Sequence, residues 1–171
     1  LQERAPADSV PGPLRVWGGV DALVLQGRPA AALRDGVGAV VTNPPYLEAK
    51  RMRRAEPGLR ERLRDRFSQL EGAFDLYMAF CWLALDLVRE GGTVGLLLPN
   101  KVLQGRYATS LRHALLPRIT RMADLSRMHP RPFPNTGVYP IVLAASSHPV
   151  AGPILARRIG RPEDLLHDEW V

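Results

Sequence analysis

Val37-Gly38-Ala39-Val40-Val41-Thr42-Asn43-Pro44-Pro45-Tyr46 decides the fold: an apolar run opens into an amide, two prolines and an aromatic ring. The run lacks alternation, as expected of an interior strand in a parallel sheet. A turn directly after such a strand lies at the carboxyl end of the sheet, where open α/β sheets bind their ligands. Each proline fixes its own φ and Pro45 holds Pro44 extended, so the backbone carbonyls have little conformational choice. Neither proline carries an N–H, which leaves the segment rich in acceptors. The Asn43 side-chain oxygen and the Pro44 carbonyl are candidates to converge on an NH₂ group and take both of its protons. That geometry would draw the amine from planarity and free its lone pair for attack. Tyr46 is expected to lie flat on a planar substrate, a stack worth roughly 1–3 kcal/mol for a nucleic-acid base. The competing reading is a strand-capping turn, with Asn43 in a local Asx bond and Tyr46 in the core.

Outward from this stretch the pattern is that of an α/β domain. Residues 1–13, with Pro6, Pro11, Gly12 and Pro13, read as a linker or loop. A short strand is expected at 14–17, a brief helix at 30–34, a long helix at 74–90 ended by Gly91-Gly92, and an interior strand at 93–98. A helix at 107–116, a strand at 119–125, a proline-rich loop at 126–137 and a returning strand at 138–145 follow. Pro140 suits the start or an edge of that last strand. Residues 47–72 form a basic insertion carrying Lys50, Arg51, Arg53, Arg54, Arg60, Arg62, Arg64 and Arg66. Its Leu59, Leu63, Phe67 and Leu70 keep a helical spacing, so the second half reads as an amphipathic helix. Both a solvated charged face and a lid or backbone-gripping role fit it. The main domain is expected over 14–147, and 148–171 as turns and a short basic helix leading toward another domain.

Composition narrows the classes. The chain has 171 residues, 46% of them apolar and 23% charged, which suits one globular core. Twenty-three Lys and Arg against seventeen Asp and Glu give a formal charge of +6, favouring nucleic acid without requiring it. The single cysteine, Cys81, lies among Phe80, Trp82 and Leu83 and reads as a buried hydrophobe. His113, His129, His148 and His167 are too scattered for a metal site, so none is expected. Asp75, Asp86 and Arg89 interrupt the longest apolar stretches, no membrane span is expected, and a cytoplasmic location is the simplest reading.

With the motif and its surroundings in place, the chain resembles the S-adenosylmethionine-dependent amino-group methyltransferases, especially the adenine-specific DNA methyltransferases of large bacterial restriction-modification or phage-defence systems. The discriminating succession is Phe74-Asp75-Leu76-Tyr77-Met78-Ala79-Phe80, then Gly91-Gly92, then Val94 to Leu98 leading into Pro99-Asn100-Lys101. The resemblance implies a partial Rossmann-like class I methyltransferase fold, with a mostly parallel sheet and a closing antiparallel hairpin. It implies Asn43, Pro44 and Tyr46 as catalytic residues acting on a flipped adenine of double-stranded DNA. Asp21 matches an acidic position near the cofactor's adenine, and Phe133 the loop aromatic that closes the base's other face. Pro45, Asn100 and Lys101 are further substrate-binding candidates; Arg106 and Tyr107 carry little signal.

The family pattern also includes a Gly-rich cofactor turn and a target-recognition region. Gly18-Gly19 lacks the spaced glycines of such a turn. The chain is therefore expected to be the C-terminal part of a catalytic domain, needing an N-terminal cofactor-binding region and a recognition region of the same protein, with an associated or fused nuclease also compatible. Methylation of a protein glutamine or an RNA amine, and an inactive methyltransferase fold serving as a nucleic-acid-binding or assembly module, are the alternatives.

Overall fold

A computed structural model describes residues 22–24, 33–134, 136–166 and 170. The expected linker 1–13, the strand at 14–17 and Asp21 lie outside them. The described elements are strand β1 (Val37–Thr42), helices α1 (Ala49–Ala55), α2 (Leu59–Arg66) and α3 (Leu76–Leu87), and strand β2 (Val88–Pro99). After these come α4 (Lys101–Gln104), α5 (Thr109–Leu115), β3 (Ile119–Asp124), β4 (Pro140–Ser146) and β5 (Leu155–Arg158). Short 3-10 turns flank α5 at Arg106–Ala108 and Leu116–Arg118. The brief helix expected at 30–34 lies mostly outside the described residues, and residues 33–35 form a turn.

The strands form one open sheet in the order β1-β2-β4-β3-β5. β1 runs parallel to β2 and β3 parallel to β5, whereas β4 is antiparallel to both of its neighbours. The α/β Rossmann-like class I methyltransferase architecture is therefore present, with the closing hairpin at β3–β4 and a mixed sheet. Pro140 opens β4, opposite Pro99, where its missing N–H removes least from the ladder.

The buried side of the sheet is set by the even positions of β2. Val94, Leu96 and Leu98 are buried with Ile141, Leu143 and Ala145 of β4, beneath α3. From α3 come Leu76, Tyr77, Met78, Ala79, Cys81, Leu83 and Ala84. The expected stripe of the insertion joins this core: Leu63, Phe67 and Leu70 are buried and Leu59 packs at its margin. Two residues of that stripe lie past the end of α2, so the helix is shorter than its apolar spacing implies.

Among the described residues β1 stands at one edge of the sheet, and Val41 is 85% exposed. Two expectations need correction. α3 stops at Leu87, and Val88 already pairs with Val37. Gly91-Gly92 thus belongs to β2 rather than to a helix cap. Gly92 is required by close approach, since a Cβ there would sit 2.8 Å from the Gly38 carbonyl oxygen and 2.6 Å from Val88 Cγ2. Finally, the stretch read as turns and a basic helix contains β5, whose Leu155, Ala156, Arg157 and Arg158 pair with Arg121 to Asp124 of β3.

Candidate active site

β1, β2 and β3 run the same way, so their following loops gather at one edge of the sheet, the ligand-binding edge of open α/β folds. The segments that follow these strands are 43–48, 100–105, which includes α4, and 125–139. The first brings Tyr46, the second Asn100 and Lys101, and the third Phe133 and Tyr139.

The Tyr46 hydroxyl donates to the Leu97 carbonyl at 2.9 Å, pinning the ring over β2. Its ring meets Tyr77 edge-on at a centroid distance of 6.4 Å and 90°. Phe133 also meets Tyr46 edge-on, at 6.4 Å and 88°. Burial, followed by the nearby Cys81 sulfur, pushes the Tyr46 hydroxyl up to about 12, so it remains a neutral donor at physiological pH. A cleft of about 190 Å³ opens beside it, lined by Tyr46, Asp75, Tyr77, Asn100, Lys101 and Tyr139 among others. That volume is below the few hundred Å³ typical of drug-sized ligand sites, and suits a single ring system better than a whole nucleotide.

Of the residues singled out by sequence, the cleft gathers Tyr46, Asn100 and Lys101, with Phe133 against the Tyr46 ring. Asn100 is fixed at its backbone, where its N–H donates to the Tyr139 carbonyl at 2.8 Å. Asn43 and Pro45 are exposed and Pro44 is buried, just ahead of the cleft rather than in its lining. The Asn43 side chain has no hydrogen-bond partner among the described residues, so the local Asx bond of the competing reading is not formed. Asp21 lies outside the described residues.

Asp75 was legible as part of the succession Phe74-Asp75-Leu76-Tyr77 but not as a site residue. Its carboxylate accepts the Ala49 N–H at 3.2 Å and so joins the start of α1 to the start of α3. The Tyr107 hydroxyl lies against the same carboxylate and accepts from the Tyr77 hydroxyl at 3.2 Å. Burial raises the Asp75 carboxyl above its ordinary 3.8, more than the Ala49 N–H holds it down. A raised carboxylate contributes stability below its unfolded value and loses it as pH rises through the folded one. Asp75→Asn, which keeps an oxygen for Ala49, is therefore expected to melt higher than the parent at pH 7, the gain shrinking as pH falls toward 3.8. Thermal melts across that range check this; a lower melting temperature for the variant at pH 7 contradicts it. Nothing in the spacing around Asp75 signalled a place in the cleft, because that depends on where α1 begins.

Residues 27–127 match the family described as Eco57I restriction-modification methylase, from before β1 to just past β3. The chain belongs to this family. Among curated proteins, this Eco57I-family chain is similar to the type II methyltransferase M.BstVI of Geobacillus stearothermophilus, 29% identical over 93 residues. The match covers 53% of this chain and 16% of that protein, so the chain spans a small part of its relative's length. Among solved structures it is similar in fold to the type IIG restriction endonuclease BpuSI, with a TM-score of 0.57 and 18% identity over 82% of this chain and 16% of that one. The type IIL restriction-modification enzyme MmeI, solved in complex with DNA, gives 0.56 and 16% identity over 78% and 18%.

The family points to S-adenosylmethionine. Among the described residues no turn of spaced glycines follows a strand and opens a helix: β1 leads into Asn43-Pro44-Pro45 and β2 into Asn100-Lys101. These residues do not build a holder for the cofactor, and the roles derived from them concern the methyl acceptor.

Proposed function

We propose that this chain forms the amine-binding part of a methyltransferase that modifies the exocyclic N6 amine of a flipped adenine in double-stranded DNA, in restriction-modification or phage defence. The observation that carries the reading is the Asn43-Pro44-Pro45-Tyr46 turn at the carboxyl edge, with an unengaged Asn43 amide leading into a base-sized aromatic cleft. Asn43 and the Pro44 carbonyl accept the two amine hydrogens, and Tyr46 stacks on the base. Phe133 closes the other face after its ring turns from edge-on to parallel. Pro45 keeps the turn rigid, while Asn100 and Lys101 contact the nucleotide from the cleft wall. Acceptors fixed before reaction cost no reorganisation when the amine is attacked.

S-adenosylmethionine supplies the methyl group, and Asp21, outside the described residues, is assigned to its adenine by the family resemblance alone. The cofactor holder, a target-recognition region and any nuclease come from further polypeptide. Among the described residues β1 ends the sheet, which leaves its outer edge available for added strands on that side.

A labelled-methyl assay of the full-length protein with DNA, RNA and protein acceptors offered separately tests the reading. Transfer to DNA is expected; transfer only to RNA or protein favours the corresponding alternative. Absence of both transfer and cofactor binding favours an inactive binding module.

A further inference from the structure

The basic insertion divides into two groups of cations with different employment. In α2, Arg60 and Arg64 both donate to the Gly72 carbonyl, at 2.7 and 2.6 Å. Their guanidiniums stand 5.3 and 5.7 Å from the centre of the buried Phe74 ring. Arg62 pairs with Glu56, and Arg66 donates to the Leu23 carbonyl while covering Phe67 at 5.1 Å. Arg60, Arg64 and Arg66 thus hold the insertion onto the domain, and the Arg62–Glu56 pair stays within it.

In α1, by contrast, Lys50, Arg51, Arg53 and Arg54 are exposed and have no hydrogen bond, ion pair or ring partner among the described residues. Arg51 alone of them lines an open trough of about 490 Å³, with Tyr46, Glu48, Lys101, Thr136 and Gly137. The trough shares Tyr46, Glu48 and Lys101 with the base-sized cleft. Lys101 Nζ lies 3.6 Å from Glu48 Oε1, an exposed pair of the kind that contributes little and is readily exchanged.

We propose that this trough is a phosphodiester subsite, in which Arg51 and Lys101 hold the DNA phosphate beside the nucleotide whose base enters the Tyr46 cleft. Arg51 presents a planar fork that matches two phosphate oxygens, and Lys101 a compact charge that Glu48 surrenders as the phosphate arrives. Glu48 repels the incoming phosphate and so lowers affinity for it. This assignment rests on the DNA reading above and adds to it which cations grip the backbone.

The test is a salt titration of duplex binding by the full-length protein, between 50 and 200 mM salt, using a 30-base-pair DNA as probe. Each phosphate contact contributes about 0.9 to the slope of log affinity against log salt, so Arg51→Ala and Lys101→Ala should each flatten the slope by about one. Arg60→Ala and Arg64→Ala should keep the parent slope while lowering the melting temperature. Glu48→Gln should bind several-fold more tightly. An unchanged slope for Arg51→Ala together with a flattened one for Arg60→Ala or Arg64→Ala overturns the assignment, as does weaker binding by Glu48→Gln. If the parent protein shows no salt-dependent duplex binding at all, the DNA reading itself fails and the subsite with it.

Discussion

Asn43→Ala in the full-length protein is expected to slow methyl transfer by about 10²–10³-fold, the scale for removing one preorganised hydrogen-bond partner from a reacting group. Duplex affinity should stay within about twofold, because the interaction forms around the amine as it reacts rather than with bound DNA in general. Single-turnover rates and binding isotherms on the same duplex separate the two quantities. The side chain is exposed and unengaged among the described residues, so its loss should leave the fold intact. Equal losses of rate and binding would instead make Asn43 a structural residue.

The second large effect is expected at Tyr46, where two roles can be pulled apart. Tyr46→Ala removes the stacking face, worth roughly 1–3 kcal/mol of base binding, and also empties the space between Tyr77 and Phe133. Tyr46→Phe removes only the hydroxyl that donates to Leu97, a loss of about 0.5–1.5 kcal/mol in positioning. Fluorescence of 2-aminopurine at the target position reports occupancy of the cleft. Tyr46→Phe should retain most of the parent signal and Tyr46→Ala little of it. A Phe variant as impaired as the Ala variant would show that the hydroxyl, not the ring face, dominates.

Much of this arrangement was legible because the relevant signals are local. The apolar run 37–42 and the proline pair after it locate the turn, and the returning strand opens at Pro140 as its missing N–H demands. Features that depend on neighbours were not legible. The run 37–42 does not tell which of its faces is covered, and among the described residues Val41 stands in the open. β5 has four residues, two of them arginine, too short and too basic to register as a strand before its pairing with β3 is known. The insertion's arginines look equivalent in sequence, but Arg60, Arg64 and Arg66 of α2 reach carbonyls and aromatic faces through tertiary packing while those of α1 do not. Asp75 enters the cleft by bonding Ala49, a residue 26 positions away.

The central claim is that the amine held by Asn43 and Pro44 belongs to a DNA adenine. Its most direct test is to expose DNA to the full-length protein and S-adenosylmethionine, digest it to nucleosides and identify the methylated product by mass spectrometry against standards. The account predicts N6-methyl-2′-deoxyadenosine, absent when Asn43 is replaced by Ala. N4-methyl-2′-deoxycytidine, or label found only in protein glutamine or RNA, would contradict it.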